Sequence, residues 1–229
     1  ARRLLNERQD RSVLPSLRAL LEGESGQVAL EALWVINLLG DFDSGLRLKA
    51  LEHENPFVRI WAIRLIGDEK RATRREVAKM AALASSDSNI EVRQQLSSSA
   101  KRLPARDLVK ILGPLLRRDE DASDSYMPLM LWWALEKACS EESEEVVELF
   151  RDRSLYDSAL MKTPILGLTM RRFAGEGSRE SLKICAKLLA LAPNREASGA
   201  MVKGFEEAFR GRSMQGLPEE LVAELARSG

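Results

Sequence analysis

Helix-start signals recur along this chain at a near-constant step, and that recurrence constrains the fold more than any single motif. Ser25, Asn55, Asn89 and Asp124 each stand three residues before an apolar anchor: Val28, Val58, Val92 and Met127. The anchors are 30, 34 and 35 residues apart. A Ser, Asn or Asp oxygen can satisfy the free N–H groups of a helix's first turn, so the four polar residues mark equivalent helix starts. Pro56 follows Asn55 at the first helical position, where its missing N–H costs nothing. Four residues after the anchors come Ala32, Ala62, Leu96 and Leu131, and eight after come Ile36, Ile66, Ala100 and Leu135. Those spacings share one face of a helix and read as a buried seam. One amphipathic hairpin cannot cover its own apolar face; stacked on neighbours it can.

Turn signals such as Gly40-Asp41, Gly67-Asp68, Pro104, Gly175 to Ser178 and Pro193-Asn194 separate helical segments, and no convincing strand alternation appears between them. The expected fold is therefore all-α, an α-α superhelix of hairpins that resemble HEAT repeats. Residues 1–140 carry the repeat register. Residues 141–229 read as divergent C-terminal helical repeats, or a cap, continuing the same superhelix, with a separate C-terminal bundle as the alternative. Within them, helices are expected at Glu141 to Phe150, Leu155 to Phe173, Ser178 to Leu191, Arg195 to Arg210 and Leu217 to Arg227.

Composition narrows the chemistry. Lys and Arg number 35 against 35 Asp and Glu, so the formal charge is zero, which argues against a dedicated nucleic-acid binder. The longest apolar runs, such as Met127 to Leu135, fall far short of the ~20 residues of a membrane span. One histidine cannot build a multi-histidine metal site. His53, between Glu52 and Glu54, is expected as a surface residue. Cys139 and Cys185 lie in neither C-x-x-C nor C-x-x-C-H and read as buried small apolar residues. No metal site, cofactor, phosphate loop or catalytic grouping is expected.

Four tryptophans are the most distinctive residues. Trp34 and Trp133 both follow their anchors by six positions and are expected in the core or between repeats. Trp61 and Trp132 are the candidates for a partner-binding groove, where aromatic side chains favour binding. Arg59, Arg64 and Arg93, with Lys101-Arg102, suggest a mildly basic strip. In Val58-Arg59 and Val92-Arg93 the cation lies four residues after the capping Asn, a placement that can also build a ladder between repeats. Asp119 to Asp124 and Glu141 to Glu148 are acidic counterparts. The candidate partner-binding residues are thus Arg59, Trp61, Arg64, Arg93 and Trp132.

The order of Ala32-Leu33-Trp34, Val58-Arg59-Ile60-Trp61-Ala62-Ile63-Arg64-Leu65-Ile66-Gly67-Asp68, Val92-Arg93-Gln94-Gln95-Leu96 and Pro128-Leu129-Met130-Leu131-Trp132-Trp133-Ala134-Leu135-Glu136 resembles one known arrangement. It is similar to the HEAT-repeat region of large exported proteins of planctomycetes and verrucomicrobia, described as membrane-bound dehydrogenases or haem-binding proteins. In that family the repeats lie between a β-propeller, dehydrogenase-like domain and a C-terminal cytochrome c domain. The resemblance implies a non-catalytic scaffold or protein-interaction module. It would link domains of a larger periplasmic oxidoreductase, with other domains of the parent chain or protein partners as its ligands. No functional residues carry over, and no membrane insertion by this segment is implied. The start inside an apparent helix at Ala1-Arg2-Arg3 likewise reads as that of an excised module, and the end at Ser228-Gly229 reads as either another cut or a mature end. The rival expectation is a HEAT-like alkylpurine DNA glycosylase, for which Trp132, Glu136 and nearby arginines would form an aromatic and carboxylate groove.

Overall fold

A computed structural model of the chain describes residues 2–228; Ala1 and Gly229, at the two ends read above, lie outside them. Those residues form fourteen α-helices joined by short loops and a few tight helical turns, with no strand among them. The chain divides into two compact units, Ala1–Leu103 and Pro104–Gly229.

The first unit contains α1 (Arg2–Arg8), α2 (Leu14–Gly23), α3 (Gln27–Leu38), α4 (Ser44–Leu51), α5 (Pro56–Asp68), α6 (Arg74–Ser86) and α7 (Ile90–Ala100). Here α2 packs on α3, α4 on α5 and α6 on α7, while α3 packs on α5, α5 on α7 and α4 on α6. Each hairpin is thus closed on itself and on the next. Local chemistry sets the helix starts. Asn55 accepts from Phe57 N–H, with Pro56 at the first helical position of α5. Asn89 accepts from the N–H groups of Glu91 and Val92 at the start of α7. Thr73 and Glu76 form a reciprocal capping box on α6.

The seam is buried at eleven of its twelve expected positions, from Val58, Val92 and Met127 through to Leu135. Val28 is the exception, 49% exposed. Ser25 does not cap α3 either; Gly26 holds the cap position without a side-chain bond. The helix starts at Gln27 and turns Ala29, Leu30 and Leu33 inward, so Val28 is left on the open side of its first turn.

Two helices of the first unit come unusually close. A Cβ built on Gly67 of α5 would lie 2.7 Å from the Ser99 Cβ of α7, so only glycine fits that crossing without movement.

The second unit contains α8 (Ala105–Leu116), α9 (Met127–Glu141), α10 (Ser143–Phe150), α11 (Leu166–Glu176), α12 (Arg179–Leu191), α13 (Arg195–Phe209) and α14 (Glu219–Ser228). Its packing has the same logic: α8 on α9 and α10, α9 on α10 and α11, α10 on α12, α11 on α12 and α13, and α12 and α13 on α14. The hairpin α8–α9, which shares the repeat register, thereby packs on helices beyond residue 140. Asp124 does not cap α9 as expected: Tyr126 holds the cap position without a side-chain bond, and Asp124, two residues earlier, accepts from Tyr126 and Met127 N–H at 2.9 and 2.8 Å.

The long helix expected over Leu155 to Phe173 is broken. A tight turn at Arg153–Asp157 and a wide turn at Met161–Ile165 precede α11, and Thr163 is extended at φ −148°, ψ 116°. The ring of Pro164 clashes with a helical conformation at the residue before it, which explains the interruption. Beyond it, α11 and α13 meet backbone to backbone. A Cβ on Gly204 would stand 2.1 Å from the Gly167 carbonyl oxygen.

Candidate functional site

Arg59 and Arg102, expected on a basic strip, act first as joints between hairpins. Arg59, on α5, donates from Nε and Nη2 to both carboxylate oxygens of Asp87 at 2.7 and 3.0 Å. Its Nη1 donates to the His53 and Glu54 carbonyls at 2.8 and 2.9 Å. Arg93, one repeat later and 4% exposed, donates from Nη1 to the Asp87 carbonyl at 2.9 Å. Both arginines thus hold the carbonyl six residues before them, and 34 positions separate each from its equivalent. Arg102 pairs with Asp68. Of the residues expected on that strip, Arg64, Lys101 and Arg102 are exposed, Arg59 is half-buried and Arg93 is buried.

His53 has a role that the sequence reading missed. It is half-buried rather than a free surface residue. Nδ1 accepts from Asn55 N–H at 3.0 Å, so Nε2 carries the proton and faces the Leu21 and Glu24 carbonyls at 3.0 and 3.1 Å. Asp87, 34 residues on, likewise accepts from the N–H two residues ahead, that of Asn89. At the position one repeat before Arg59 stands Ala29, which offers no cation for a carboxylate. A neutral imidazole fills that place by donating to carbonyls. Asn55 adds a further tie, donating from Nδ2 to the Ser25 carbonyl at 2.6 Å while its oxygen caps α5. The signal was present in the spacing His53-x-Asn55 and Asp87-x-Asn89.

On the open face of α3 and α5 the indoles of Trp34 and Trp61 meet edge to face, with centroids 5.0 Å apart. The Arg64 guanidinium lies 4.9 Å over the Trp61 ring. Both indoles are half-buried, and Phe57 and Leu38 nearby are 52% and 45% exposed. Trp133, expected in the core, is 46% exposed. Six residues past the anchor is a rotation of about 240°, nearly opposite the seam, which accounts for it. Trp34 has the same spacing but is half-buried, with Trp61 packed against it.

In the second unit the acidic stretch Asp119 to Asp124 is partly structural: Asp121 is fully buried and Asp119 accepts from Ala159 N–H at 2.8 Å. The candidate Trp132 sits elsewhere, on a shallow cleft of about 430 Å³ between α9 and α11. Glu136, Leu168, Arg171, Arg172, Gly175 and Glu176 complete its walls. Arg172 donates to the Ser140 hydroxyl at 3.0 Å and pairs with Glu176 at 3.3 Å. Arg171 faces Glu207 of α13 at 3.7 Å. The structure therefore gathers Trp132, Glu136 and two arginines at one cleft, and separately gathers Trp61 and Arg64 with Trp34. Arg59 and Arg93 belong to neither.

Both cysteines are buried, and burial pushes each thiol up to about 12, Cys139 with a further rise from Glu136 against a lowering by Arg172. Thiols so protonated are poor nucleophiles. Among the described residues, no group of His, Cys, Asp and Glu has a metal-binding arrangement, and no helix is long and apolar enough to cross a membrane. No protein family, curated protein or solved structure matches the chain.

Proposed function

We propose that this chain is a non-catalytic helical-repeat module, an α-α superhelix of HEAT-like hairpins, that holds protein partners or neighbouring domains. The observation that carries the reading is a repeated local anchor. Arg59 and Arg93, 34 residues apart, grip equivalent carbonyls, and Asn55 and Asn89 cap equivalent helices. Such repetition fits an array in which each hairpin is stabilised by its neighbours. The exposed aromatic face around Trp61 and Arg64 and the cleft at Trp132 supply chemistry suited to protein contacts. The resemblance drawn from the sequence extends the proposal to a linking segment within a larger exported, periplasmic oxidoreductase, whose redox groups would lie in other domains.

The rival reading, an alkylpurine DNA glycosylase, draws on the meeting of Trp132, Glu136 and two arginines at one cleft. Against it, Arg171 and Arg172 are each tied to a carboxylate, and the zero net charge leaves little surplus for a phosphate backbone. Incubating the protein with duplex DNA carrying alkylated purines separates the two. The scaffold reading expects no base release above the protein-free rate. Release that disappears in Glu136→Ala would overturn it.

A further inference from the structure

We propose that the α9–α11 cleft receives a basic side chain, the ammonium or guanidinium of a Lys or Arg on a protein partner. This deepens the interaction-module reading and rests on it for the bearer of the cation, though the site can be tested alone.

Two guanidiniums stand at this cleft, and three carboxylates are within reach of them or on its wall. Glu207 faces Arg171 and Glu176 faces Arg172, while the Ser140 hydroxyl accepts from Arg172 as well. Glu136 is left over: among the described residues its carboxylate has neither an ion pair nor a hydrogen bond. The uncompensated charge of the cleft is therefore negative. An anion entering would meet Glu136 and would have to displace a carboxylate from one of the arginines. A cation meets a carboxylate that has no other partner.

Geometry supports the same ligand. Trp132 precedes Glu136 by four residues on α9, so both project from one face of that helix into one cavity. An indole beside a free carboxylate offers a cation both a ring face and a charge partner. Both side chains are half-buried, which limits screening while leaving entry open. Opposite them, Gly175 adds no bulk: a Cβ there would touch nothing within 4 Å. Leu168 gives an apolar wall against which the methylene stem of a Lys or Arg can lie.

The probe is N-acetyl-arginine amide, titrated into isotopically labelled protein while the four tryptophan indole N–H signals are followed by NMR. Trp132→Phe assigns the Trp132 signal by its loss. The expected result is a saturable shift of that signal, with half-saturation in the millimolar range, as befits one ring contact and one charge pair. Glu136→Gln should weaken it by about tenfold, with the other three indole signals unmoved as a check of folding. A shift of equal strength in Glu136→Gln, no shift at all, or a stronger shift with N-acetyl-glutamate amide would overturn the proposal. Such a failure would remove this site and leave the module reading standing, since that reading falls on base release instead.

Discussion

At the scale of single residues, burial decides which of the many ion pairs matter. Lys49 and Glu22 meet at 2.7 Å with side chains 61% and 45% exposed. Water screens such a pair, and Lys49→Ala should cost under about 1 kcal/mol. Arg59 and Asp87 meet at the same 2.7 Å with side chains 14% and 2% exposed, and in a two-pronged geometry. Removing Arg59 would take the counter-charge from a buried carboxylate, which keeps the Asn89 N–H, and a donor from two carbonyls. Arg59→Ala should therefore destabilise the first unit by about 3 kcal/mol, read as a shift of the chemical-denaturation midpoint. Equal small losses for Arg59→Ala and Lys49→Ala would show that the joint is only a surface contact. Arg59 looked like a candidate for partner binding in the sequence because an arginine after a buried valine reads the same whether its head is solvated or folded back. The partner that decides it, Asp87, is 28 residues away and invisible to helical spacing.

At the scale of helices, starts were legible and faces less so. Asn55 and Asn89 declare helix starts through chemistry confined to a few residues, and both cap their helices as expected, whereas Asp124 lies two residues before the N-cap Tyr126 and bonds the N–H groups leading into α9. Which side of a helix is covered depends on what packs there. Val28 shares its spacing with Val58, yet one is half-exposed and the other buried, because α3 begins after a glycine loop and rolls Ala29 inward. The expected helix from Leu155 to Phe173 failed on one local term, the extended Thr163 imposed by Pro164. Helix crossings were equally hidden. Gly204 gives no sequence hint that its missing side chain lets α13 touch the Gly167 carbonyl on α11. A methyl group there cannot be absorbed by a flexible side chain, because the obstacle is backbone. Gly204→Ala should cost about 1–3 kcal/mol despite the better helix propensity of alanine. Gly199→Ala on the same helix, where a Cβ meets nothing within 4 Å, should instead be neutral or stabilising. Thermal melts of the two variants check the pair, and similar melting temperatures would refute the close crossing.

At the scale of the whole molecule, the all-helical class followed from periodicity and from the recurring caps, since both are written into neighbouring residues. The site was harder to read. The sequence named Trp61, Arg64 and Trp132, but the pairing of Trp132 with Glu136 against arginines of α11 needs two helices about 40 residues apart to pack. The proposal that this array links parts of a larger haem-bearing oxidoreductase is tested most directly on the native polypeptide. An antibody raised against this chain would be used on extracts of its source cells, with denatured proteins separated by mass and stained for covalently held haem. A haem-positive band far heavier than the 25.6 kDa of these residues is expected. A haem-negative band near 25.6 kDa, with no heavier species, would contradict it.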